Sequence, residues 1–140
     1  MGYATSKDIY TIITYLNQNH NINEFIIYSF SMGAMASLIF FDKYNEELYQ
    51  NEIRISKMIL DSPLSNVKKV LLNRAKLMQI PFLLSNIAIN MFCIKRLGKY
   101  LRLKKVIHKF DGEILILQSK EDKTTPVMYL NNELKKVKKY

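Results

Sequence analysis

Phe25-Ile26-Ile27-Tyr28-Ser29-Phe30-Ser31-Met32-Gly33-Ala34-Met35-Ala36-Ser37-Leu38-Ile39-Phe40 reads as a strand, a one-residue corner and a helix without a break. Phe25 to Tyr28 are apolar and β-prone throughout, a pattern that predicts a strand buried on both faces of a parallel sheet. From Met32 the residues turn small, and Gly33, Ala34 and Ala36 allow a helix to lie close against that sheet. A serine at the corner, Ser31, projects its hydroxyl above the strand end. The backbone N–H of Met32, at the start of the helix, points into the same space and can hold an oxyanion.

The pattern Gly-x-Ser-x-Gly marks a nucleophile elbow, and it stands here as Ser29-Phe30-Ser31-Met32-Gly33, with serine for the first glycine. Small residues suit both flanking positions because the backbone doubles back on itself there. The pentapeptide alone fits equally a Ser and a Gly that merely permit tight strand-to-helix packing. The strand before it and the helix after it favour the elbow.

Outward from this stretch, Thr5 or Ser6 can cap a helix in which Ile9, Ile12, Ile13 and Leu16 make one apolar stripe on a sheet. His20, in the polar run that follows, reads as an exposed loop residue. After the Ser31 helix, Lys57 to Leu60 predicts a second strand, ended by Asp61-Ser62-Pro63. Residues 64–110 read as a helical insertion. Its Leu77 to Ile94 stretch is apolar, but Gln79, Pro81, Ser85, Asn86 and Asn90 would set polar groups in hydrocarbon, so a membrane span is disfavoured. A lid over an acyl pocket is the preferred reading, with contact at a membrane surface as the alternative. Glu113 to Gln118 predicts the third strand, Asp122 the turn after it, and Met128 to Val137 a closing helix begun at Pro126.

Residues 7–35, Leu60-Asp61-Ser62-Pro63 and Gln118 through Pro126 together resemble the α/β-hydrolase superfamily, most closely its small esterase-like and serine-aminopeptidase-like branch. The resemblance covers most of the chain and the second half of that family's fold. It implies an α/β architecture: a partial α/β-hydrolase fold of parallel strands with flanking helices and a lid-like insertion, all one domain spanning residues 1–140. It further implies Ser31 as nucleophile, Asp122 as the acid that orients a catalytic imidazole, and the Met32 N–H as one oxyanion donor. Asp61 is a weaker candidate acid. His108 precedes Asp122, whereas the family's order runs Ser, acid, His, which makes His108 a lid or loop residue. The family's histidine and second oxyanion donor fall outside these 140 residues, so the expectation is an incomplete serine acyl hydrolase, weakly active or inactive.

Composition bounds the alternatives. With 49% apolar residues the chain is not disordered, and no repeat divides it. A single cysteine, Cys93, permits no internal disulfide and suits a reducing, cytoplasmic setting. The net charge of +9 raises nucleic-acid binding, but no recognition motif accompanies the lysines, and none is expected. No cofactor and no metal are expected; the partners implied are a small ester or amide substrate and, peripherally, a membrane. A second reading is a non-catalytic basic module that binds a membrane surface or a protein.

Overall fold

The apolar runs fold into parallel strands, and the connections between them are helical. The computed structural model describes residues 2–91, 98–135 and 137; Cys93, Lys95, Arg96, Lys136, Lys138 and Lys139 lie outside these. In chain order the elements are α1 (Gly2–His20), β1 (Glu24–Phe30), α2 (Met32–Gln50), β2 (Arg54–Asp61), α3 (Val67–Leu77), α4 (Phe82–Ile89), three short 3-10 turns between Gly98 and Lys109, β3 (Glu113–Leu117) and α5 (Val127–Leu134). The sheet has three strands in the order β1-β2-β3, both pairs parallel. This is the α/β architecture the alternation of patterns predicts.

Register places Ile27, Met58 and Ile114 in one row and Ser29, Leu60 and Ile116 in the next, all on the helix-covered face. Met58 and Leu60 are fully buried there, beneath Leu38 and Phe40 of α2 and beside Leu103 and Val106 from the insertion. Burying each such side chain stabilises the fold by about 1.5–3 kcal/mol. Ser56 is an extra residue in β2, because Phe25 pairs with Ile55 and Ile26 with Lys57. This bulge lets Ile55 and Met58 both point inward.

The opposite face corrects the expectation of strands buried on both sides. Ile26, Tyr28 and Phe30 of β1 are each about 60% exposed, and Leu115 and Leu117 of β3 are exposed as well. The physical reason is topological. Crossovers between parallel strands are right-handed, so two crossovers stepping the same way along a sheet deliver their helices to one face. The bare face carries the rows Ile26-Lys57-Glu113, Tyr28-Ile59-Leu115 and Phe30-Asp61-Leu117. Its charges are already partnered: Lys57 pairs with Glu113 at 2.9 Å, and the Tyr28 hydroxyl donates to Asp61 at 2.9 Å.

Helix α1 starts at Gly2, upstream of the expected cap, so Thr5 and Ser6 sit inside it and Ser6 is fully buried. Its apolar stripe is narrower than the spacing suggests, since Ile13 is buried but Ile12 is exposed. The helix lies chiefly against α2, with Tyr10 stacked on Tyr44 at a ring separation of 4.3 Å. His20 is the exposed last residue of α1, edge-on to Tyr15. The closing helix ends at Leu134, earlier than the expected Val137.

The insertion is pinned at both ends. The Asn66 side chain caps α3 by accepting the Lys69 N–H at 3.1 Å, and its amide donates to Glu133 of α5 at 3.3 Å. Arg102 donates to the same carboxylate from Nη2 and Nε, both to Oε1, at 2.8 and 3.0 Å, and from Nε to Oε2 at 3.3 Å. Glu133 is only 3% exposed. Burial pushes its carboxyl up, but the hydrogen bonds from Arg102 and Asn66 outweigh that and hold it below the ordinary range. At the other end of the sheet Lys109 pairs with Asp42 and the Tyr49 hydroxyl donates to Asp111.

Candidate functional site

Ser31 is the corner between β1 and α2, and its backbone is strained. Its φ of 53° and ψ of −114° lie in a region that residues with a Cβ rarely occupy. Tertiary contacts hold it there: the Ser31 N–H donates to the Asp61 carbonyl at 2.7 Å, extending the ladder past the last paired residue of β1. Ser31 occupies the N-cap position of α2, where a serine ordinarily accepts from a first-turn N–H. Here the hydroxyl makes no capping bond, because the unusual dihedrals turn it off the helix end. The result is an uncommitted hydroxyl beside the N–H of Met32, one of the first-turn donors that a helix leaves without an internal partner.

The flanking small residues face one another. A Cβ at Gly33 would lie 3.9 Å from the Ser29 Cβ, an ordinary contact, so the corner has room for a small side chain at either position. The Ser29 hydroxyl is buried with no hydrogen-bond partner. Serine in place of the pattern's first glycine therefore fits sterically and leaves one polar atom unsatisfied, a cost of about 1–3 kcal/mol.

Asp61 ends β2 beside this corner. Its two carboxylate oxygens accept from the Tyr28 hydroxyl and from the Ser62 hydroxyl, each at 2.9 Å, which ties it to the sheet. The Ser62 N–H in turn donates to the Leu117 carbonyl at 2.8 Å. Ser31, Asp61 and the chain leaving β3 thus share the carboxyl edge of the sheet, where parallel sheets carry their chemistry. Two strand spacings separate the backbones at Ser31 and Gln118, roughly 10 Å.

Asp122 stands in the loop after β3, and its carboxylate organises that loop. One oxygen accepts the N–H groups of Thr124 and Thr125 at 2.8 and 2.9 Å. The other accepts the Thr125 hydroxyl and, at 3.3 Å, the Gln118 amide. Partial burial pushes this carboxyl up; the bonds from Thr125, Thr124 and Gln118 outweigh it and leave the pKa below the ordinary aspartate value. A carboxylate offers about four acceptor sites, and all four are taken, so a further donor has to displace one. The Gln118 bond is the longest and the weakest of them. Gln118 also donates to the Thr125 carbonyl at 2.9 Å, and this bracing role is not visible in the sequence, where Gln118 is simply the end of an apolar run.

Helix α3 leans on the same loop, since the Asn73 amide donates to the carbonyls of Lys123 and Thr124 at 2.6 and 3.2 Å. The insertion and the Asp122 loop therefore meet. Neither histidine joins them by a hydrogen bond. His108 is exposed and faces the carbonyl of Lys104 at 3.3 Å, and His20 lies against Tyr15. Among the described residues no group of His, Cys, Asp and Glu could hold a metal ion, and no helix is long and apolar enough to cross a membrane. A cleft of about 310 Å³ lined by Tyr49, Arg54, Asp111 and Gly112 opens at the amino-terminal ends of β2 and β3, the edge opposite Ser31.

No family model, no curated protein and no solved structure matches this chain.

Proposed function

We propose that the chain carries the nucleophile and acid of a serine acyl hydrolase of the α/β-hydrolase type, acting on ester or amide bonds. One observation carries this reading: a non-glycine residue, Ser31, is held at φ 53° and ψ −114° between a parallel strand and a helix, with its hydroxyl uncommitted. Backbone strain of this kind costs about 1–3 kcal/mol and persists where it serves a site. In the reaction the Ser31 oxygen bonds to the acyl carbon while its proton passes to an imidazole. The Met32 N–H steadies the carbonyl oxygen as it becomes negative, and the imidazole returns the proton to the departing alkoxide or amine. Asp122 holds that imidazole by exchanging its long Gln118 bond for the ring N–H. The helical insertion serves as a lid over the acyl group.

As placed, His20 and His108 do not furnish the base. Roughly two strand spacings between Ser31 and Gln118 leave room for an imidazole from elsewhere. This suggests a direct test with free imidazole. A fluorophosphonate probe should label the chain slowly and label it faster as imidazole is added, with the adduct on Ser31 by mass spectrometry. Ser31→Ala should abolish the labelling. Equal labelling of the chain and of Ser31→Ala, with or without imidazole, rejects the assignment.

A further inference from the structure

The excess charge of this protein sits in one place. Between Ser62 and Phe110 there are 11 Lys and Arg and no Asp or Glu, while the other 91 residues hold 10 basic and 12 acidic residues, a balance of −2. The helices α3 and α4 lie within that segment, and their tip is apolar and open. Leu77, Met78, Phe82, Leu83, Leu84 and Ile87 are between 49% and 69% exposed. Residue for residue, α4 is apolar on every side except at Ser85 and Asn86, yet only Ser85 is buried. A helix that is apolar all round belongs in a core or in lipid. This one is in neither within the isolated chain.

The hairpin is nonetheless well built. Its turn is closed by backbone bonds from Met78 to Arg74 and from Gln79 to Lys76, both 3.0 Å, and its base is fixed through Asn73, Asn66 and Glu133. Helix α3 is thus held at its base and at its turn, and α4 packs on it with its apolar side chains open. Arg74 and Lys76, both exposed in the last turn of α3, flank the apolar tip, and Lys68 and Lys69 stand in its first turn. Their single sign selects the occupant. An apolar tip flanked on α3 by cations matches a surface that is hydrocarbon within and anionic at its rim, and matches poorly a second copy of this basic chain.

We propose that the α3–α4 hairpin docks this protein on anionic bilayers, with α4 lying in the interface and the α3 cations on lipid phosphates. At eight residues α4 is about 12 Å long. It lies in the headgroup boundary without spanning the membrane. The docking does not depend on Ser31 chemistry and holds equally for Ser31→Ala, so the two proposals fail separately.

The chain contains no tryptophan, so a single introduced one reports on its own surroundings. Phe82→Trp places the reporter on the hairpin tip, and Phe30→Trp places it on the bare sheet face. With vesicles of phosphatidylglycerol in phosphatidylcholine, Phe82→Trp emission should shift to the blue and Phe30→Trp emission should not. Phosphatidylcholine alone should give little shift. Raising salt from about 0.1 M to about 1 M, which shortens the Debye length from roughly 10 to 3 Å, should weaken binding by at least about tenfold. Arg74→Glu with Lys76→Glu should weaken it by about tenfold or more. Phe82→Asp with Leu83→Asp should do the same while leaving the far-ultraviolet circular dichroism unchanged, since both side chains are exposed. The proposal is overturned if Phe82→Trp is unmoved by anionic vesicles, if neutral vesicles shift it as much, if Phe30→Trp moves instead, or if RNA shifts Phe82→Trp where lipid does not.

Discussion

Replacing Ser31 by glycine should make the protein more stable, and the magnitude can be worked from its dihedrals. The pair φ 53°, ψ −114° is the mirror image of φ −53°, ψ +114°, a comfortable extended conformation. Only glycine reaches such mirror positions without a Cβ penalty. Relief of a strained non-glycine backbone is worth about 1–3 kcal/mol, and the extra unfolded-state freedom of glycine returns about 0.4–1 kcal/mol of it. The net expectation for Ser31→Gly is a gain of about 1 kcal/mol. For a chain of 140 residues that raises Tm by roughly 3–4 °C. Ser31→Ala keeps the Cβ and removes a hydroxyl that caps nothing, so it should fall within about 0.5 kcal/mol of the parent. Urea unfolding followed by circular dichroism, with both variants run beside the parent, measures the difference. If Ser31→Gly is no more stable than Ser31→Ala, the corner is unstrained and the central support for a nucleophile there is gone.

Three further outcomes follow from particular contacts. A Cβ at Gly112 would come within 2.5 Å of the Ser56 carbonyl and 2.6 Å of the Phe110 ring, so Gly112→Ala should cost about 2 kcal/mol, near 7 °C in Tm; a silent substitution would place the β2–β3 approach wrongly. Glu133 and Asp122 both have folded-state pKa values depressed below their unfolded ones, so their stabilisation is present above the ordinary carboxylate range and is lost as pH falls through it. The urea midpoint should therefore drop from about pH 5 toward pH 3, and Glu133→Gln should remove part of that slope while destabilising the fold at neutral pH by about 2–3 kcal/mol, a figure discounted because Arg102 is about one-third exposed. The bare sheet face should drive self-association, and Phe30→Lys with Leu117→Lys should shift light scattering toward monomer; an unchanged mass distribution would show that this face is not the sticky one.

Much of the architecture was legible because local patterns and tertiary demands agree. The runs Phe25 to Tyr28, Lys57 to Leu60 and Glu113 to Gln118 are short and largely apolar, alternate with helical stretches, and form parallel strands, the third ending one residue early at Leu117. The candidate site was legible in its backbone frame only: the small neighbours of Ser31 signal a corner between a strand and a helix, and Pro126 signals the turn that holds Asp122 after β3. The grip of Gln118 and Thr125 on Asp122 was not legible, because nothing local distinguishes a bracing amide from any polar residue at a strand end.

What the sequence determined by itself was the kind of each element, since periodicity and turn chemistry act over a few residues. Only the tertiary structure decided what each face meets. An apolar strand reads the same whether one side is covered or both, and Ile26, Tyr28 and Phe30 lie open because two like-handed crossovers place their helices on one side of the sheet. Residues 64–110 likewise read as helical from composition. That the two ends of this insertion are held together by Asn66, Arg102 and Glu133 while α4 keeps its apolar sides exposed follows from pairings across 31 to 67 residues of chain, which no local pattern encodes.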